Sequence, residues 1–148
     1  ENKMQQPINE IELKFLSKSC NESFARTVAG ALVSQLDPTL EELADVTTAV
    51  SEAVTNAIIH GYENKKGYIN MNCKLYENSV EIVITDEGKG IEDIEMARQP
   101  LYTSKPELER SGMGFTVMEA FMDKVDVFSE PGKGTKVVMY KTFKSVKP

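Results

Sequence analysis

The stretch SEAVTNAIIHGY, Ser51 to Tyr62, has the periodicity of an amphipathic helix and one feature that periodicity leaves unexplained. Glu52, Asn56 and His60, the only histidine of the chain, follow one another at four-residue spacing. Four residues along a helix return to the same side, so the three polar groups form one ridge. At about 100° per residue, Leu43, Val46, Val50, Ala53, Val54 and Ala57 share an apolar stripe, and Glu52 and Asn56 point nearly opposite to it. The ridge is either a solvated face or the wall of a site. The flanking sequence has to decide.

Upstream, Asp37-Pro38 breaks the chain, and Thr39 with Glu42 makes a capping-box pattern, so one long helix is predicted from there to about His60. Before it, INEIELKFLS alternates as a strand, and NESFARTVAGALVSQL places Phe24, Val28 and Leu32 at helical spacing. Downstream, GYENKKG is a turn-rich loop. Two alternating runs follow, Ile69 to Leu75 and Val80 to Ile84, joined by the short polar turn YENS as a hairpin. The second run ends in DEGKGI. The next twenty or so residues, EDIEMARQPLYTSKPELERS, carry two prolines, many charges and only a hint of helix near Ile94 to Arg98. A segment of that kind inside a compact domain is usually functional or mobile. GMGFTVMEAFM resumes helical spacing, and KVDVFSEPGKGTKVVMYKTF closes as two strands around a Pro-Gly-Lys-Gly turn. The order predicts an α+β fold: a two-layer α/β sandwich with helices on one face of a mainly antiparallel mixed sheet.

Length and composition agree with one domain spanning residues 1–148, with a core at about 10–143 and a lid at about 92–111. The formal charge of −6 disfavours direct nucleic-acid binding and an anionic membrane surface. No apolar run approaches the roughly 20 residues that span a bilayer. Cys20 and Cys73 lack CxxC spacing, so zinc is disfavoured and reduced thiols in the cytoplasm are the default.

The glycines suggest ligands. Gly88 and Gly90 after Asp86 let backbone approach a flat ligand, and the aspartate can accept from an exocyclic amino group such as that of adenine. Asp-x-Gly is also a common tight turn. In RSGMGF, Gly112 and Gly114 directly precede a helix, where unpaired N–H groups favour an anion. Arg110 and Lys105 could add charge against phosphate. Ser111 as a simple N-cap is the plainer reading. The pattern is neither the loop GxxxxGK[ST] nor GxGxxG after a first strand.

Taken together, a helix bearing E-x-x-x-N, a strand ending in D-x-G-x-G, and a long polar segment ending in G-x-G at a helix start resemble the GHKL or Bergerat-fold ATPases. The resemblance extends over roughly residues 10 to 143. SEAVTNAIIHGY, DEGKGI, ARQPLYTSKPELERSGMGF and NESFAR are similar to one subfamily, the sporulation anti-sigma serine kinases. The resemblance implies a protein serine/threonine kinase using ATP and Mg²⁺. Glu52 would be the general base or polarising carboxylate for the attacking hydroxyl, and Asn56 would ligate Mg²⁺ through its side-chain oxygen, which suits a hard cation that keeps phosphate ligands. Asp86 would bind the adenine amino group, with Gly88 and Gly90 in the base loop and Thr135 in support. Thr103, Ser104, Lys105, Arg110, Ser111, Gly112, Met113 and Gly114 would surround the phosphates. The pair Thr103-Ser104 stands where the subfamily usually has two threonines.

The same resemblance implies partners: a sigma factor of RNA polymerase, a STAS-type anti-anti-sigma protein phosphorylated on serine, and a second copy of the chain in a homodimer. Arg26 lies two residues after Phe24, about 200° around the first helix, so if Phe24 and Val28 enter the core Arg26 looks outward. By resemblance it belongs to a surface shared by both partners. Three other readings remain: a histidine-kinase catalytic fragment, a stress-response anti-sigma kinase, and a nucleotide-sensing module without turnover. The first is disfavoured because the only histidine sits on the nucleotide helix itself, and the last has no need of Glu52.

Overall fold

Period-two alternation and helical spacing place the elements of the chain, which a computed structural model describes over residues 5–99 and 114–146. Strand β1 (Asn9–Leu16) leads into helix α1 (Cys20–Val33), and a 3-10 turn (Ser34–Leu36) precedes helix α2 (Leu40–Asn56). A π-helical turn, Ala57–Gly61, closes α2. Strands β2 (Tyr68–Leu75) and β3 (Ser79–Asp86) form the expected hairpin, followed by the single-turn helix α3 (Ile94–Ala97). Helix α4 (Gly114–Phe121) and strands β4 (Lys124–Glu130) and β5 (Gly134–Thr142) complete the order.

The strands make one five-stranded sheet in the order β1-β2-β3-β5-β4. Every neighbouring pair is antiparallel. The mixed component expected from sequence is therefore absent between neighbours. Strand β4 runs parallel to β3 but lies at the sheet edge, and the tight turn after it folds β5 back between them. Register then sets Asp86 at the end of β3 opposite both Ile69 of β2 and Thr135 of β5.

Alternation buries one sheet face. Ile69, Met71, Cys73 and Leu75 from β2 and Val80, Ile82 and Ile84 from β3 meet Val46, Val50 and Val54 of α2 in the core. Each buried valine or isoleucine contributes roughly 1.5–3 kcal/mol relative to exposure. Burial also pushes the Cys73 thiol up to about 12, which keeps it protonated and inert. The capping box is present: Thr39 Oγ1 accepts from Glu42 N–H at 3.1 Å, and Glu42 Oε1 accepts from Thr39 N–H at 3.0 Å. Ser145 Oγ also donates to Glu42 at 2.5 Å, tying the chain after β5 to the start of α2. The Ser145 hydroxyl leads the causes that hold the Glu42 carboxyl down at about 2.

One expectation about α1 is corrected. Phe24 is 52% exposed, and the buried face runs through Ala25, Ala29, Leu32 and Val33. Small residues win there because α1 lies close on α2; a Cβ added at Gly30 would sit 3.2 Å from Thr47 Cγ2. Among the described residues no helix is long and apolar enough to cross a membrane.

Candidate functional site

The far end of the apolar stripe on α2 opens into a cavity of about 630 Å³ between α2, the loop after β3, α3, the start of α4 and the β4–β5 turn. Asn56, Asp86, Gly90, Gly114 and Thr135, five residues singled out from sequence, line it together. His60 and Met96 line it as well. The ridge on α2 is thus partly a site wall. Asn56 is half-buried there, and its amide packs so closely on Gly114 that a Cβ at that position would lie 2.8 Å from Asn56 Nδ2.

Asp86 is the most unusual group of the wall. Only 6% exposed, it accepts from Gly88 N–H at 2.9 Å and from the backbone N–H of Thr135. Desolvation outweighs those bonds and pushes its carboxyl up to about 6. A buried carboxylate with acceptor capacity left over suits a ligand that donates a proton, and an exocyclic amino group is such a donor.

The glycine loop works by close approach. A Cβ at Gly88 would lie 2.1 Å from the Gly61 carbonyl oxygen, and one at Gly61 would lie 2.8 Å from Asp86 Oδ1. The π-helical turn delivers that carbonyl, which accepts from Lys89 N–H at 2.9 Å. Glu87 N–H donates to the Tyr62 hydroxyl at 2.7 Å, and Tyr62 donates on to the Tyr68 carbonyl at 2.6 Å. Ile91 N–H donates to Ser129 Oγ at 2.8 Å. With Gly88 N–H on Asp86, the N–H groups of residues 87, 88, 89 and 91 are all satisfied inside the protein. This loop therefore does not offer those N–H groups to phosphate as an anion-binding nest does. Its backbone groups are spent on the loop's own shape, which leaves side chains to face the cavity.

The remaining sequence-predicted residues divide into three groups. Gly88 packs behind the cavity against Gly61. Glu52 sits half-buried one turn before Asn56 on α2 and does not line the cavity formed by the described residues. Thr103, Ser104, Lys105, Arg110, Ser111, Gly112 and Met113, with most of the lid, lie outside the described residues. Arg26 faces outward as expected although Phe24 does not enter the core; its guanidinium donates to Glu22 at 3.2 Å and to Ser51 Oγ at 3.4 Å. Tyr62 and Ser129 escaped the sequence reading, because a turn tyrosine and a strand serine carry no local signal of their contacts.

Comparison with known proteins agrees with this arrangement. The family model of the histidine kinase-like ATPase domain matches residues 20–141. The chain belongs to that family. Among its relatives, a Clostridium kluyveri protein named anti-sigma F factor is 61% identical over 138 residues, covering 93% of this chain and 97% of the relative. A Thermoanaerobacter protein of the same name is 64% identical over 133 residues, covering 90% and 93% of the two chains. The crystal structure of the RsbU and RsbW domains of a Mycobacterium tuberculosis protein aligns at a TM-score of 0.64 and 18% identity, over 92% of this chain and 32% of that one. At that identity it supports the fold alone.

Proposed function

We propose that the chain is an ATP-dependent anti-sigma factor that captures a sigma factor and phosphorylates a serine of a STAS-type partner. The observation that carries the nucleotide part is Asp86: a nearly buried carboxylate in a cavity that Asn56 also lines. Adenine donates to Asp86, and the phosphates extend towards α2 and the start of α4. The name shared by the relatives supports the anti-sigma role.

Asn56 is a fitting magnesium ligand. It brings one neutral oxygen to the cavity, and among the described residues no three His, Cys, Asp or Glu side chains gather as a metal cage. Magnesium bound chiefly through phosphates and water asks for no more than that. It would neutralise charge on the transferred phosphoryl group. Glu52 lies four residues before Asn56, a rise of about 6 Å along the helix. That offset suits a carboxylate that accepts the proton of a serine hydroxyl attacking beyond the outermost phosphate.

Arg26 supports a partner surface beside this centre. Its hydrogen bond to Ser51 puts the exposed guanidinium next to the residue that precedes Glu52, so a protein resting on α1 reaches the reacting end of the nucleotide. The test is incubation with Mg²⁺-ATP and a STAS-type protein, with the phosphate located by mass spectrometry, alongside ATP-dependent pull-down of a sigma factor. Phosphate on a partner serine is expected. Nucleotide binding without any transfer would leave a sensor rather than a kinase.

A further inference from the structure

Ser129 does not line that cavity; it lines a more open neighbouring one together with Asp86 and Thr135. It belongs to β4, and register places it opposite Thr135 on β5. Its Oγ lies 2.8 Å from Ile91 N, 2.9 Å from the Gly134 carbonyl oxygen and 2.9 Å from Thr135 Oγ1. A serine hydroxyl has one proton and two lone pairs. The Ile91 N–H can only donate, so it takes one lone pair. The Gly134 carbonyl can only accept, so it takes the proton. One lone pair remains for Thr135, and only the Thr135 proton can meet it. This is the single assignment in which all three contacts are hydrogen bonds.

The consequence falls on the cavity. Thr135 lines it, and with its proton committed to Ser129 its hydroxyl presents lone pairs alone. Asp86 lies opposite Thr135 in the β3–β5 register and also lines the cavity. Two acceptors therefore line the same cavity from paired positions. A six-amino purine offers N–H groups there, directly or through a water. A six-oxo purine moves its edge donor to the ring nitrogen and offers an oxygen at position six, to which neither the ionised Asp86 carboxylate nor a hydroxyl whose proton is held by Ser129 can donate.

We infer that Ser129 is a positioning residue: by taking the Thr135 proton it locks that hydroxyl as an acceptor and biases the site towards six-amino over six-oxo purine nucleotides. The inference rests on the reading of the cavity as a nucleotide site. Ser129 touches no ligand in this scheme and acts only through Thr135 and the Ile91 loop.

The test compares affinities for ATP and inosine triphosphate, which differ at the six position and the adjoining ring nitrogen, in the presence of Mg²⁺. The parent protein should prefer ATP. In Ser129→Ala the Thr135 hydroxyl is free to rotate and donate to the six-oxo group, so the preference should narrow about three- to tenfold, the worth of one neutral hydrogen bond. Ser129→Thr keeps the hydroxyl on a strand and should restore the parent ratio. Where thermal melting shows the alanine variant unfolded, the near-isosteric Ser129→Cys should move the ratio in the same direction. Equal weakening for both nucleotides would make Ser129 a mere loop brace and overturn the inference. Failure of the parent protein to bind either nucleotide would overturn the nucleotide reading itself, and the inference with it.

Discussion

Asp86→Asn removes a charge from a side chain that is 6% exposed while keeping its shape, and the effect on folding should have a definite pH dependence. Burial pushes the carboxyl from its ordinary 3.8 to about 6. The folded chain thus binds this proton more tightly than the unfolded chain does. The resulting stabilisation is fully present below about pH 4 and is lost as pH rises through 6. At pH 8 the difference of about two units corresponds to about 3 kcal/mol of strain against the fold, at 1.36 kcal/mol per unit. The bonds from Gly88 and Thr135 are already inside that net shift. An asparagine amide recovers only part of it, because one of its two terminal groups is a donor among donors. A gain of about 1–3 kcal/mol at pH 8 is expected, or roughly 2–10 °C in melting temperature for a chain of this size.

The assay is thermal melting of both proteins without nucleotide from pH 4.5 to 8. The advantage of Asp86→Asn should be largest at pH 8 and close towards pH 4.5, where the parent carboxyl is protonated. In parallel the variant should bind ATP about 10- to 150-fold more weakly, since a bond to a charged acceptor is worth about 1.5–3 kcal/mol. Parent affinity for ATP should itself fall as pH drops below 6. A stability offset that is the same at every pH, or a variant less stable at pH 8, would refute the burial argument. Unchanged ATP affinity would place the adenine elsewhere.

Glu52→Gln keeps shape but removes the base, so phosphoryl transfer should drop about 10²–10⁴-fold while ATP binding survives, as read by a radiolabel transfer assay beside a binding titration. Equal loss of both would make Glu52 structural. Gly88→Ala forces a Cβ to within 2.1 Å of the Gly61 carbonyl oxygen, so the loop must move. It should lower stability by about 1–3 kcal/mol and weaken nucleotide binding together, and a normal melt would contradict the close approach. Arg26→Glu should weaken pull-down of both the sigma factor and the STAS-type protein with ATP affinity unchanged; normal capture of both would dismiss the shared surface.

Sequence spacing singled out residues that lie contiguous along the chain, and of these Asn56, Asp86 and Gly90 line the cavity. Glu52 and Asn56 share a ridge because helical period is a local property, and Asp86, Gly88 and Gly90 stand out because a strand end followed by glycines is a local pattern. The same logic misjudged α1. Its hydrophobic spacing ran through Phe24, yet the core took Ala25 and Ala29, because the distance to α2 rather than side-chain apolarity decides which face fits. The π-helical turn at the end of α2 also left no mark in AIIHG, although it is what brings the Gly61 carbonyl to Lys89.

Tyr62 and Ser129 show why the rest was illegible. Each is a hydroxyl that holds a backbone N–H of the same glycine loop, Tyr62 at Glu87 and Ser129 at Ile91. Neither is near that loop in sequence: Tyr62 precedes Glu87 by a whole hairpin, and Ser129 follows Ile91 by more than thirty residues that include α3 and α4. The Tyr62 contact needs the β2–β3 hairpin closed, and the Ser129 contact needs β5 folded back between β3 and β4 with Ser129 in register with Thr135. A loop whose glycines carry no side chains cannot hold its own shape, and a flat ligand needs that shape before it arrives. The two hydroxyls supply the rigidity that Gly88 and Gly90 give up for close approach. In the proposed reading, recognition of the ligand is thereby left to the side chains of Asp86 and Thr135 rather than to mobile backbone.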